Sequence, residues 1–307
     1  LLYFPDVEAR LRQLLNFQTL HSPTLGSLRA KLSYSFHISR YRMQPMANIA
    51  LRAARMAADF ILLSFDRPDQ FRIEQKRPGD FVSNIDKTAE NIIVEQVRLT
   101  FPDHNINAEE SGITARNESS EYTWIIDPID GTLNFIRGIP HFSVSIGIQK
   151  GNHFEHGVII DPVKQEEYVA SRGYGATLNG KKIRVAQQET LEDSIIATGI
   201  RTASVPANRG QYISWVSTFT ASCQSIRTSG STALDLAYVA SGKTDGFWHR
   251  DLKPWDIAAG IVLVREAGGF IGDFKGGERF FESGDMVAAN PKIFKSIVQI
   301  LSESNTV

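Results

Sequence analysis

Stacked layers of helix and sheet, an α/β architecture, are to be expected of this 307-residue chain for three reasons. Apolar residues recur at helical spacing in four segments, the stretch from Ser143 to Val185 switches to alternation broken by turn dipeptides, and further strands and helices follow Val185. A meander of that kind has antiparallel edges and an apolar face that helices or a second region must cover. We therefore expect two mixed regions, 43–185 and 186–303, with a cleft between them, and an N-terminal extension over 1–42.

The extension holds six basic side chains against two acidic ones, and His21-Ser22-Pro23 and Gly26 interrupt any long helix. It has neither the compact apolar run nor the small-residue cleavage site of a secretory signal. A basic, hydroxyl-bearing leader also suits organelle targeting. The reading preferred here is a poorly packed extension upstream of a start at Met43, because periodicity begins there.

Ile49, Ala53, Met56, Phe60 and Leu63 alternate spacings of four and three, one face of an amphipathic helix. Pro68 and Arg77-Pro78-Gly79-Asp80 then mark a linker or hairpin. Asp86 is an acceptable N-cap for a second helix with the stripe Ala89, Ile93, Val97 and Phe101, closed by Pro102. Tyr122 to Ile126 is aromatic and β-branched and reads as a short buried strand. In the meander Val144, Ile146 and Ile148 alternate, and Gly151-Asn152, Asp161-Pro162 and Asn179-Gly180 supply turns; His153 and His156 read as surface residues of a hairpin. Beyond it we expect a strand at Ile195 to Gly199, an ambiguous helix at Gln211 to Thr220, and helices at Ser231 to Ala240 and Asp256 to Ala267. Gly268-Gly269 stops the last of these, and short strands follow near Phe270 and at Met286 to Ala289.

Composition excludes several classes of function. Thirty-three basic residues against thirty-four acidic ones leave a net charge of -1, unlike a dedicated nucleic-acid binder, so no direct DNA binding is expected. Cys223 is the only cysteine, which rules out an internal disulfide and paired-cysteine metal ligation and suits a reducing compartment. The longest apolar candidate, Ala258 to Val264, stops at Arg265 after seven residues, whereas a bilayer requires roughly 18–20. No membrane association and a cytoplasmic location are the expectation.

The chemistry concentrates in Trp124-Ile125-Ile126-Asp127-Pro128-Ile129-Asp130-Gly131-Thr132, where an apolar strand ends in two carboxylates three positions apart. Pro128 fixes a backbone torsion between them. Gly131 permits close approach of whatever lies against it. An Asp-Pro turn alone is common, but Glu109-Glu110 before a turn, Asp86 at one helix start and Asp256 at another place acids on four segment ends. A shared cation site explains them more economically than separate caps. Oxygen ligands favour magnesium, with manganese as substitute. Paired hard cations point to phosphoryl chemistry.

That run closely resembles the signature of the inositol monophosphatase family of magnesium-dependent, lithium-sensitive sugar phosphatases. Asp80 to Asp86, Glu109-Glu110-Ser111, Gly230 to Ala237 and Lys253 to Gly260 extend the resemblance over nearly all of Met43 to about Ile300, and Met43 to Ala50 is similar to the start of the bacterial SuhB-type members. The resemblance implies an αβαβα layered sandwich assembled as a homodimer. It also implies two or three Mg2+ ions: the first held by Glu109, Asp127 and the Ile129 carbonyl, the second by Asp127, Asp130 and Asp256, and a weaker third near Glu109 and Asp86. Asp86 and Thr132 would orient and activate the attacking water, Lys76 would stand near the phosphate, and Asp130, Gly131, Thr132, Gly230, Ser231 and His249 would line the substrate pocket.

Two departures bear on substrate choice. The family glutamate seven positions before the last metal aspartate is His249 here, with Asp251 nearby, and one of two arginines common in bacterial relatives is Thr228. Inositol 1-phosphate or a related small polyol phosphate is therefore the leading substrate class, with fructose 1,6-bisphosphate, NADP or 3'-phosphoadenosine nucleotides as alternatives. The resemblance to SuhB-type members adds a different role: partnership with RNA polymerase and the factors of ribosomal-RNA antitermination.

Overall fold

The computed structural model describes residues 43–67, 71–77, 80–114, 117–200 and 209–303. The readings of 1–42, Pro68 and Pro78-Gly79 lie outside them.

The chain opens with α1 (Pro45–Phe65), its proline in the first helical turn where a missing N–H costs nothing. An antiparallel hairpin, β1 (Ile73–Arg77) and β2 (Asp80–Ser83), runs straight into α2 (Asn84–Thr100). Then come β3 (Asn105–Ala108), β4 (Gly112–Thr114), β5 (Tyr122–Asp130) and the single turn α3 (Thr132–Ile136). The expected meander follows as β6 (Ser143–Lys150), β7 (His153–Asp161), β8 (Glu166–Ser171), β9 (Gly175–Leu178) and β10 (Lys181–Lys182). These strands form one eight-stranded sheet in the order β10-β9-β8-β7-β6-β5-β3-β4, antiparallel except for the β3–β5 pair.

A second sheet and its helices comprise β11 (Ile195–Thr198), α4 (Arg209–Ser222), β12 (Ser225–Arg227), α5 (Thr232–Ala240), β13 (Gly246–His249), α6 (Pro254–Glu266), β14 (Phe270–Gly272), α7 (Phe280–Ser283), β15 (Met286–Ala289) and α8 (Pro291–Glu303). Its strand order is β12-β11-β13-β15-β14, with β11 parallel to both its neighbours.

Both sheets are buried on both faces, as alternation along single strands shows. In β7, Val158 and Ile160 join the core beneath α1 and α2, while Ile159 between them joins the core around α5 and α6. In β13 and β15, Phe247, Met286 and Ala288 face α5 and α6, whereas Trp248, Val287 and Ala289 face α4 and α8. The layers therefore run α1/α2, large sheet, α5/α6, small sheet, α4/α8: the αβαβα sandwich. Two-sided burial also explains the unbroken apolar runs 158–160 and Met286–Ala289.

The middle layer is unusually close to the large sheet. Gly147 and Gly157 are directly paired across β6 and β7. A Cβ on Gly147 would lie 2.5 Å from Ala258 Cβ, and one on Gly157 2.4 Å from the Ala259 carbonyl oxygen. These two glycines form the flat bed on which α6 rests. On its other side, a Cβ on Gly260 would meet Leu236 Cδ1 at 2.4 Å. The height of α6 above the sheet is thus set by absent side chains.

Several expectations need correction. The buried line of α1 is Ala47, Ala50, Leu51, Ala54, Ala57, Ala58 and Ile61, with Ala53, not the stripe of larger residues; Leu63 is 68% exposed. Alanines let the helix approach α2 and β7 closely, which leaves Ile49, Met56 and Phe60 at the margins. His156 is buried rather than on the surface, with Nδ1 2.9 Å from Ser171 Oγ, and burial lowers its pKa. The sequence gives no expectation for β3, β4, β12 and β13, which are too short for a clear period, for the short α7, or for α8. The last begins after Asn290, whose Oδ1 accepts the Lys292 and Ile293 amides at 3.0 Å, and buries Ile293, Ile297 and Leu301. Among the described residues no helix is long and apolar enough to cross a membrane.

Replacing Gly157 by alanine should cost about 1–3 kcal/mol through overpacking beneath α6. Urea denaturation monitored by circular dichroism would measure it; a wild-type midpoint would show that α6 moves freely above the sheet.

Candidate metal centre

Three acidic side chains reach one place through different local devices. Asp127 and Asp130 are an odd number of positions apart, so a regular strand would point them to opposite faces. The ladder to β6 prevents this: Asp127 pairs with Ser145 and Asp130 with Ser143, one extra residue on the β5 side. This β-bulge falls between Asp127 and Asp130, where Pro128 has no N–H to give the ladder, and it restores the phase of the two carboxylates. Gly131 follows at φ +95°, and a Cβ there would meet the Gly230 and His141 carbonyl oxygens at 3.1 and 3.2 Å. The close approach expected at Gly131 is made by the Gly230 loop.

Asp256 arrives from α6. It occupies the third helical position rather than the N-cap expected from sequence, and its Oδ2 accepts the Lys253 amide at 2.9 Å. Asp86 deviates in the same way. Ser83 is the N-cap of α2, and Asp86, three residues on, accepts the Ser83 amide at 2.9 Å to close a capping box. In both cases a first-turn carboxylate satisfies a backbone donor at the helix start with one oxygen, and in Asp86 the other oxygen accepts from Thr132.

Asp127, Asp130 and Asp256 each offer a carboxylate oxygen within 4.8 Å of the others, and all three are buried. Asp130 Oδ2 is anchored by the hydroxyl of Ser231, which is the N-cap of α5, and by the Ala233 amide at 2.8 Å. Asp127 Oδ1 has no hydrogen-bond partner. Burial first, then the charges of Glu109, Asp130 and Asp256, push the Asp127 carboxyl well above the usual carboxylate range. Glu109 lies within hydrogen-bonding reach of Asp127. Converging buried acids with an orphaned oxygen fit a hard divalent cation, which supplies the missing positive charge and takes carboxylate oxygens as ligands.

Beside this cluster, Thr132 Oγ1 stands 3.1 Å from Asp86 Oδ1 and 3.0 Å from the Ile129 carbonyl oxygen, so its single hydrogen is shared between two acceptors. Burial raises the Asp86 pKa, partly offset by bonds from Ser83 and Thr132. Asn134, which the sequence reading did not single out, ties the pocket together: its Nδ2 donates to the His141 carbonyl at 2.8 Å and the Ser229 carbonyl at 2.9 Å. Gly230, at φ +87°, packs on that same side chain. The only sequence clue to Asn134 was its place two residues beyond Thr132 in a turn.

His249 ends β13, 4% exposed, with Nδ1 2.6 Å from the Arg250 carbonyl oxygen. A carbonyl can only accept, so the proton sits on Nδ1 and Nε2 is left as an acceptor in the neutral ring. The ring is stacked on Phe247 and packs against Gly199. Asp251 is exposed. Lys76 lies on β1, opposite the strand leading to Asp86, and its side chain falls outside what is described. Asp235 is buried in α5, and burial, then the Asp130 charge, raise its pKa well above the usual carboxylate range.

Comparison with known proteins bears on this geometry. Residues 42–306 match the model of the inositol monophosphatase family. A curated relative, Nus factor SuhB of Pseudomonas aeruginosa, is 45% identical over 259 residues, covering 83% of this chain and 95% of the relative. The crystal structure of extragenic suppressor protein suhB from Bartonella henselae superposes with a TM-score of 0.82 at 37% identity, covering 85% of this chain and 99% of that one. The IMPase of Thermotoga maritima gives 0.77 at 33% identity, covering 85% and 98%.

The raised Asp127 pKa has a signed consequence. The folded, cation-free protein holds its proton to higher pH than the unfolded chain, so stability is lost as pH rises from the unfolded value near 3.8 toward the folded one. Asp127→Asn should therefore raise the melting temperature of chelator-treated protein at neutral pH and flatten its pH dependence, while added Mg2+ should stabilise wild type alone. Calorimetric melting between pH 5 and 8 would decide it; a variant less stable than wild type without metal would contradict the origin assigned to the strain.

Proposed function

The chain belongs to the inositol monophosphatase family, whose chemistry is metal-dependent hydrolysis of phosphate monoesters, and from that premise we propose that it hydrolyses inositol 1-phosphate or a related small polyol phosphate. The observation that carries this reading is the buried Asp127–Asp130–Asp256 cluster with its orphaned Asp127 oxygen. Asp127, Asp130, Asp256, Glu109 and the Ile129 carbonyl would hold Mg2+, or Mn2+ in its place, as two ions with a weaker third. Bound there, the cations supply charge that makes water a nucleophile at neutral pH and steadies the leaving oxygen.

The protein's own groups do the rest. Asp86 accepts from the Thr132 hydroxyl, which leaves the Thr132 oxygen lone pairs to receive a hydrogen from the attacking water and aim it at phosphorus. The Gly131 and Thr132 amides donate to phosphate oxygens, and Lys76 adds positive charge beside them. No side chain forms a covalent bond, so Cys223 and Ser231 have no nucleophilic role; Ser231 holds Asp130. Gly230 and Ser231 line the polyol side. His249 stands where the family has a glutamate; its buried ring, packed with Nε2 against Gly199, cannot supply the two carboxylate oxygens, which favours polyols that need fewer acceptors. Fructose 1,6-bisphosphate, NADP and 3'-phosphoadenosine nucleotides remain members of the same test panel. A cytoplasmic homodimer is the proposed working form.

The name of the Pseudomonas aeruginosa relative, Nus factor, favours a second role for this chain, as a partner of RNA polymerase and the ribosomal-RNA antitermination factors. That role uses surfaces outside the metal cleft, so both roles are compatible in one molecule.

Phosphate release by purified protein on the panel, with Mg2+, with chelator and with lithium, tests the enzymatic reading. We expect Mg2+-dependent, lithium-inhibited release, loss on Asp130→Asn, retention in Asp251→Asn, and a fall of about 10²-fold in kcat for Thr132→Ala with little change in melting temperature. Release that is indifferent to chelator would overturn it. Association with RNA polymerase factors that survives Asp130→Asn would support the second role, and no association among purified components would remove it.

A further inference from the structure

Glu90 sits on α2 one turn after Asp86 and is 3% exposed. Its two carboxylate oxygens are both committed: Oε2 accepts the Glu110 amide at 2.7 Å and Oε1 the Ser111 amide at 2.9 Å. The amide just before them, that of Glu109, donates to the Ile126 carbonyl of β5 at 3.1 Å. Three consecutive amides, those of residues 109 to 111, are thus held by two separate elements. They make up the whole connection between β3 and β4, and Glu109 on it faces Asp127.

Resting on the metal-centre reading above, we propose that Glu90 is a positioning residue that sets cation affinity by clamping the loop that presents Glu109. It is not itself a ligand: it stands outside the Asp127–Asp130–Asp256 cluster, and both of its oxygens are turned to the loop amides. A buried carboxylate that receives two backbone donors makes charge-assisted bonds stronger than neutral ones. Groups that hold a ligand rather than the metal commonly control affinity to this degree. The clamp also gives α2 a double task. Asp86 near its start fixes Thr132, and Glu90 one turn later fixes Glu109, so one rigid helix sets the spacing between the water-orienting pair and a metal ligand. A loop held only by the Ile126 bond would let the Glu109 carboxylate wander from Asp127, and charge repulsion would drive it away.

The test uses the full chain and Mn2+ as the probe. Free Mn2+ is counted by electron paramagnetic resonance, and exchange of the 110 and 111 amides is followed in chelator-treated protein. Glu90→Gln keeps the size but turns an NH2 donor toward an amide donor, so both amides should exchange faster and Kd for Mn2+ should rise about 10–100-fold. Glu90→Asp, shorter but still charged, should fall between. Ile93→Val on the same helix, a core truncation that leaves the Glu90 carboxylate and its two amide bonds in place, should lower the melting temperature without moving Kd. An unchanged Kd in both Glu90 variants, or an equal rise in Ile93→Val, overturns the clamp while leaving the metal centre standing. A wild type that binds no Mn2+ overturns the metal-centre reading and this inference with it.

Discussion

Like charges packed into a dry cleft oppose folding, and here the rest of the molecule is arranged to hold them there. Asp127, Asp130 and Asp256 bring carboxylate oxygens within 4.8 Å of one another, and the charges that act most strongly on Asp127 are other carboxylates. Such a cluster is stable when a cation offsets the repulsion or when a proton is retained, and the high Asp127 pKa records the second alternative. Function is therefore in tension with stability in this chain. The groups that would make a divalent ion bind tightly are those that weaken the fold without it.

Asp86, Asp130 and Asp256 are each held by neutral donors, which leave their negative charge in place. The Lys253 amide holds Asp256, the Ser231 hydroxyl and Ala233 amide hold Asp130, and the Ser83 amide and Thr132 hydroxyl hold Asp86. Several of these donors are the otherwise unpaired amides of helix first turns. The fold thus uses one solution repeatedly: a helix begins at the site, its first turn needs an acceptor, and an aspartate supplies it while turning an oxygen to the cleft.

Packing sets the distances. The Gly147–Gly157 pair lowers α6 onto the large sheet and Gly260 brings it against α5, so the start of α6, with Asp256, is fixed relative to β5 by backbone contacts with little freedom to adjust. The Gly131–Gly230 approach and the Asn134 bridge do the same between β5 and α5. A rigid frame of this kind suits a site whose ligands would otherwise separate under their own charge.

Local chemistry made much of this legible. The Asp127-Pro128-Ile129-Asp130-Gly131 run, the acids at Glu109, Asp86 and Asp256, and the N-cap at Ser231 carry their meaning in residue type and order, and the alternating meander of residues 143–185 needs only nearest neighbours. What sequence left open is set by contacts between distant segments. The buried face of α1 followed from how closely alanines pack, not from where the largest apolar residues recur. Asp86 and Asp256 proved to be third-position acceptors, because the residue that turns the chain at each helix start lies outside its hydrogen-bonded ladder. Glu90 gave no local signal and Asn134 only its place after Thr132, since an acid or an amide within a helix looks the same whether it faces water or binds a loop twenty or ninety-five residues away. Sequence determined which groups could serve a cation; only the layered fold decided that they meet, because convergence is a property of the distances between segments and not of any one segment.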